Sequence, residues 1–141
     1  MILLDTDHLS VLLDRRNAQR SQLVERLESV RDSLAIPIVS VEEHLRAWLA
    51  QIHRARGVHH QVVPYARLAK VVEFLADWRI AHWNEPAADT YTRLRAARIR
   101  IGTQDLKIAS LALFHDAMLL SANRRDFEQI PGLRVEDWLH T

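Results

Sequence analysis

The 141 residues suffice for one domain with a single sizeable core and leave too little for two. Apolar residues make up 48% and charged residues 26%, with 19 basic against 18 acidic side chains, so neither disorder nor a global basic field is implied. The absence of cysteine excludes disulfides, thiolate nucleophiles and cysteine zinc sites. The basic residues are lopsided, 17 Arg against 2 Lys. Arginine suits bidentate phosphate contacts, although a GC-rich genome produces the same bias. No apolar run approaches the roughly 20 residues of a membrane span. Residues 1–4 lead straight into Asp5 without the basic start of a signal peptide. A soluble, cytoplasmic protein with no membrane contact is the expectation.

In chain order, residues 2–4 predict a buried strand that stops at Asp5-Thr6-Asp7, and 8–13 a short helix capped by Thr6 or Asp7. Residues 17–33 carry Leu23, Leu27 and Val30 at helical spacing among charges. The run 34–39 predicts a second strand, made irregular by Pro37. Ser40 to Glu43 matches a capping box, and Val41, Leu45, Trp48, Leu49 and Ile52 form one apolar stripe, which assigns Trp48 to the core. Gly57 ends that helix, and 65–78 predicts another, pairing with it as a hairpin. Residues 80–83 predict a third strand. Asn84-Glu85-Pro86 starts a further helix, with Pro in its first turn.

The organising stretch follows. Gly102 and Thr103 read as a helix entrance with Thr103 as N-cap, and 106–114 is apolar on nearly every side, hence a buried helix. Residues 118–120 predict a buried strand, and Leu133 to Val135 a last short one. Strands alternating with helices indicate an α/β fold with a parallel sheet covered on both faces.

In such sheets ligands bind beyond the carboxyl ends of the strands. Asp5 and Asp7 follow the first strand, Glu42 and Glu43 the second, and Asn123 and Asp126 the strand at 118–120. Asp105 opens the helix leading into that strand. Carboxylates gathered there repel one another unless their pKa values rise or a cation binds. Oxygen ligands without cysteine suit Mg²⁺ or Mn²⁺. Metal-assisted phosphodiester hydrolysis is the chemistry this favours. Each acid also has a plainer use: Asp5 and Asp7 as caps, Glu43 in the capping box, Asp105 on the helix dipole, and Asp126 paired with Arg124 or Arg125. The eight histidines read as surface residues rather than zinc ligands. Arg93, Arg95, Arg98 and Arg100 lead into Asp105 and read either as a phosphate track contacting substrate or as a solvated face.

Four segments, residues 3–7, 40–46, 101–109 and 120–127, together resemble PIN-domain ribonucleases, and most of all the VapC-type toxins of bacterial toxin–antitoxin pairs. The resemblance implies a three-layer α/β/α domain over 1–141 with a mostly parallel central sheet, and RNA cleavage by a Mg²⁺ or Mn²⁺ centre. It implies Asp5, Glu43, Asp105 and Asp126 as the metal-binding acids, with Thr6 and Asn123 in support. A homodimer and a neutralising antitoxin are implied as partners. Two departures stand out. Asp7 occupies a position that is commonly Asn, and so either ligates or caps. Glu42 and Glu43 compete for one role: helical phase puts Glu42 nearer the apolar stripe, while the motif selects Glu43. Other readings stay open. One is a phosphatase of the haloacid-dehalogenase type with Asp5 as nucleophile and Asp7 as general acid. The other is an inactive RNA- or protein-binding module.

Overall fold

In the computed structural model, which describes residues 1–140, the centre of the sheet is β1 (Ile2–Leu4). Three consecutive apolar residues are all buried there because both faces of the strand are covered. Alternate side chains enter different layers. Leu3 packs with the buried residues of α6 (Thr103–Phe114), whereas Ile2 and Leu4 pack against Val11 and Leu12 of α1 (Thr6–Leu13) and Leu23 and Leu27 of α2 (Arg20–Ser29). Strand β1 pairs in parallel with β2 (Leu34–Pro37) on one side and β4 (Met118–Leu120) on the other, in register at Ile2↔Leu34 and Leu3↔Leu119. The edges are β3 (Ile80–Ala81) and β5 (Arg134–Glu136). Every pairing is parallel, and the order is β3-β2-β1-β4-β5. The three-layer α/β/α architecture is therefore present, with the sheet wholly rather than mostly parallel.

That order positions the site. The chain steps outward from β1 to β3, then returns through α5 (Glu85–Ala96) and α6 to place β4 on the far side of β1. The connections reverse direction between β1 and β4, which opens a crevice beyond their carboxyl ends. Helix α6 runs back towards the start of β4, so its N-terminus, with Asp105, lies at the same rim. The remaining helices are α3 (Ile38–Arg54), α4 (Val62–Leu75) and the single turn α7 (Arg124–Phe127). Helices α3 and α4 pack together as the expected hairpin. No helix among the described residues is long and apolar enough to cross a membrane.

The helix entrances differ most from expectation. Neither Thr6 nor Asp7 caps α1: Asp5, still extended, is the N-cap, and its carboxylate accepts from the Thr6 amide at 2.7 Å. The capping box does not form. The helix α3 begins at Ile38, directly after Pro37, so Ser40 is already inside it, buried and with its hydroxyl unpartnered. Gly102, not Thr103, is the cap of α6. Strand β3 keeps only two residues of the expected 80–83, while β5 lies one residue later than expected. Helix α4 starts three residues early and ends at Leu75. Asn84 does cap α5, its side-chain oxygen accepting from the Ala87 amide at 3.0 Å.

Phe127 is fully buried and anchors α7, the turn that carries Asp126, to the α5–α6 side of the core. Phe127→Ala is expected to destabilise the protein by about 3–5 kcal/mol in urea unfolding, since an aromatic removed from a packed core leaves a cavity. A loss of under about 1 kcal/mol would mean that α7 is held some other way.

Candidate active site

Asp5 leaves β1 at the centre of the crevice and is almost fully buried. Its second oxygen accepts from Ser121 Oγ at 2.6 Å, which ties the end of β1 to the end of β4. The Ser121 hydroxyl in turn accepts from the Asn123 amide at 3.0 Å. The Asn123 side-chain nitrogen then donates both to Asp105, at 3.0 Å, and to Asp126, at 3.1 Å. On the other side Thr6 Oγ1 donates to Glu43 at 3.1 Å. Neutral donors thus hold Asp5, Glu43, Asp105 and Asp126 around one rim, and no Lys or Arg pairs with any of the four among the described residues.

The acids feel one another. The Asp5 pKa is pushed up to about 6, chiefly by burial and then by the neighbouring Asp7 charge; bonds from Ser121 and Thr6 oppose the rise, and Asp105 adds to it. Burial also raises Glu43, against the Thr6 bond, with Asp105 and Glu42 contributing. Asp105 is raised by burial first, opposed by Asn123, with further contributions from Asp126 and Asp7. Asp105 is therefore the hub to which Asp5, Glu43 and Asp126 all couple.

The two ambiguous acids separate cleanly. Glu42 is exposed and turns away to Gln104 at 2.8 Å and Arg46 at 2.5 Å, and the Gln104 bond first, then the Arg46 charge, holds its carboxyl low. Glu43 faces Thr6 and the cluster, so the apolar-stripe argument for Glu42 fails. Asp7 is engaged within the fold on both oxygens. One accepts from the His8 amide at 2.7 Å and meets His8 Nδ1 at 2.6 Å; the other accepts from the Ala122 amide at 2.9 Å. The expected pairing of Asp126 with Arg124 or Arg125 is absent among the described residues; Arg124 binds Glu128 instead.

Two participants were not singled out in the sequence. Histidines were expected on the surface, yet His8 is wholly buried, with Nδ1 against Asp7 and Nε2 accepting from the Trp138 amide at 3.1 Å. One ring nitrogen is thus the donor and the other the acceptor, as in neutral imidazole. A polar residue inside an otherwise apolar helix stretch, directly after an acid, was its only signal. Ser121 had none beyond its place after β4. Of the four arginines, only Arg95 reaches the rim, donating to Thr103 Oγ1 at 3.2 Å; Arg93 bonds its own helix at Thr90. Arg98 and Arg100 are exposed beyond α5.

The groups at the rim able to ligate a cation are oxygens, from the carboxylates and the Thr6 and Ser121 hydroxyls, the set preferred by Mg²⁺ or Mn²⁺. Among the described residues no three His, Asp or Glu side chains close into a finished cage. The neutral bridges Thr6 and Asn123 stand between the carboxylates, which suits a cation that keeps several waters.

Comparison with known proteins agrees with this architecture. A family model described as PIN domain matches residues 2–133. The tRNA(fMet)-specific endonuclease VapC of Salmonella typhimurium is 33% identical over 86 residues, covering 58% of this chain and 65% of that protein. Ribonuclease VapC1 of Rickettsia felis is 46% identical over 50 residues, 33% of this chain and 37% of that protein. The matches thus span less than two thirds of those relatives' lengths. Among solved structures, DNA-bound VapBC from Salmonella typhimurium superposes with a TM-score of 0.77 at 24% identity, covering 97% of each chain. VapBC2 from Rickettsia felis, bound to a promoter fragment, gives 0.76 at 23%, covering 98% of this chain and 99% of that one. At such identities the structures establish the fold, and the match over residues 2–133 establishes the lineage: the chain belongs to the PIN domain family.

Proposed function

We propose that this chain, a single domain over 1–141, is a divalent-metal-dependent endoribonuclease of the VapC kind, the toxin of a toxin–antitoxin pair. The observation that carries the reading is the convergence of Asp5, Glu43, Asp105 and Asp126 on one rim through the neutral donors Ser121, Thr6 and Asn123, with no Lys or Arg bonded to any of them among the described residues; the gathered like charge adds to burial in raising Asp5, Glu43 and Asp105. Such repulsion is a standing cost to the fold, and a bound Mg²⁺ or Mn²⁺ would relieve it. Family membership disfavours the phosphatase, and the engagement of both Asp7 oxygens leaves no free general acid there. RNA as substrate is supported by the names of the Salmonella and Rickettsia relatives. A cognate antitoxin is supported by the VapBC titles of the structural neighbours. A homodimer and a cytoplasmic setting complete the proposal.

In this mechanism Asp5, Glu43, Asp105 and Asp126 would hold the cation. When bound, it supplies an activated water and stabilises charge on the phosphate under attack. The chain's own work is positioning. Ser121 and the Thr6 amide fix the two Asp5 oxygens, and Asn123 sets the spacing of Asp105 and Asp126. Asp7 is a positioning residue: through Ala122 it secures the loop that carries Asn123, while His8 locks its other oxygen. Arg95, held beside Asp105 through Thr103, contacts a substrate phosphate. No side chain acts as a covalent nucleophile.

Two outcomes test this. Purified protein free of antitoxin is expected to cut RNA with Mn²⁺ and not with EDTA; Asp105→Asn lowers the rate about 100-fold or more, and Asn123→Ala about 10- to 100-fold. An Asp105→Asn variant that cuts as well as the wild type would refute the assignment. The second outcome concerns pH. The raised Asp5 pKa means that stability from its neutral form is complete below the ordinary value of 3.8 and is lost as pH rises through about 6. In EDTA, Asp5→Asn should therefore gain on the wild type between pH 4 and 7, by about 2–3 kcal/mol at pH 7. Urea unfolding at both pH values reads this; a pH-independent difference would contradict it.

A further inference from the structure

Beside the carboxylate rim, α1 and α3 run on together as a second rung. One turn after Thr6, Ser10 Oγ lies 3.0 Å from His44 Nε2, the residue after Glu43. Beyond that rung opens a groove of about 770 Å³, lined by the end of α1, the middle of α3 and the face of α4. Ser10 and His44 themselves line it, so the groove begins one helical turn from Thr6 and directly after Glu43.

Its charge is unlike that of the rest of the chain. Arg15, Arg16, Arg67 and Lys70 line it, all exposed, against Asp14 and Glu73. None of the four cations forms a salt bridge among the described residues, as holds for most Lys and Arg of the chain; what sets the groove apart is the excess of cations over acids along its walls. A fifth cation, Arg20, is held at the wall by donating to the Leu12 carbonyl at 2.8 Å. The chain as a whole is nearly neutral, so these cations against Asp14 and Glu73 are a local excess of positive charge.

The groove also holds an aromatic side chain. Trp48, expected in the core, is only half-buried and belongs to none of the core clusters. It lies one turn beyond His44 on the same face of α3, with the Arg67 guanidinium 5.8 Å from its ring centre. Unpaired cations around an accessible indole are the two features that bind single strands without base specificity, by charge on the backbone and by stacking of the bases.

We propose that this groove seats a single RNA strand leading to the carboxylate rim, with Arg15, Arg16, Arg67 and Lys70 on successive phosphates and Trp48 beneath a base. The proposal rests on the ribonuclease reading for the identity of the strand. An acidic peptide would satisfy the cations, but an indole set among them is what a chain of alternating phosphates and bases uses at every step, and the groove starts beside a phosphodiester-cleaving site.

The test is fluorescence anisotropy of a labelled ten-nucleotide RNA in EDTA, across a series of NaCl concentrations. The protein is compared with the Arg67→Gln/Lys70→Gln double variant and with Trp48→Leu, which keeps apolar bulk and removes the ring. The double variant is expected to bind more weakly and to lower the slope of log affinity against log salt by about 1.4, at roughly 0.7 per lost phosphate contact. Trp48→Leu is expected to weaken binding roughly 5- to 100-fold with the slope unchanged. If the wild type cuts RNA but both variants bind it with wild-type affinity and slope, the groove assignment is overturned while the nuclease reading stands. If the variants lose binding and no divalent metal supports cleavage by the wild type, the groove assignment stands and the nuclease reading falls. Unchanged RNA binding together with lost binding of an all-glutamate peptide would make the groove a protein-docking surface and overturn the proposal.

Discussion

The structure turns on an electrostatic conflict held in place by a sheet. Asp5 is forced to the crevice between β1 and β4 because β1 is central and ends there, and it is almost fully buried because both layers close over that strand end. Three more carboxylates arrive at the same rim from separate elements, and burial first, with neighbouring carboxylates adding to it, raises the proton affinity of Asp5, Glu43 and Asp105. Nothing about packing requires this. A fold selected only for stability would place apolar or oppositely charged groups there. The conflict is tolerated because neutral donors share it out: Ser121, Thr6 and Asn123 each satisfy carboxylate oxygens without cancelling their charge.

The neutral bridges also explain why small, separate motifs act as one site. The polar run from Ser121 to Asp126 follows β4 immediately, so the strand pairing β1–β4 fixes its starting point to within a residue. Asp7 then secures the loop through the Ala122 amide, and His8, buried against the Trp138 amide, prevents Asp7 from turning outward. The carboxyl-terminal residues thereby support the site without approaching it.

Much of this was legible in the sequence because the signals were local. Apolar triplets at 2–4 and 118–120 mark central strands, and acids just past such strands fall at the binding rim by topology alone. The apolar wrap of α6 likewise announced its burial, and Asp105 in its first turn was in place. What failed were inferences that needed tertiary knowledge. The Ser40–Glu43 box has the right letters, but Pro37 starts the helix earlier and leaves Ser40 buried. Trp48 belongs to an apolar stripe by spacing, yet α4 meets α3 in a way that leaves its ring beside Arg67 rather than in the core. His8 looked like a surface residue because nothing in its own segment reveals the Trp138 amide waiting 130 positions away. Glu42 and Glu43 were separable only once Thr6 was known to face the second of them.

The central claim is that these carboxylates share one cation, and isothermal titration of Mn²⁺ at pH 6 tests it most directly. The account predicts binding by the wild type with proton release, seen as an enthalpy that depends on the ionisation heat of the buffer, because Asp5 is part-protonated there. Asp5→Asn should lose most of the binding and the proton release with it. Equal Mn²⁺ affinity in both proteins, with no buffer dependence in either, would contradict the shared site.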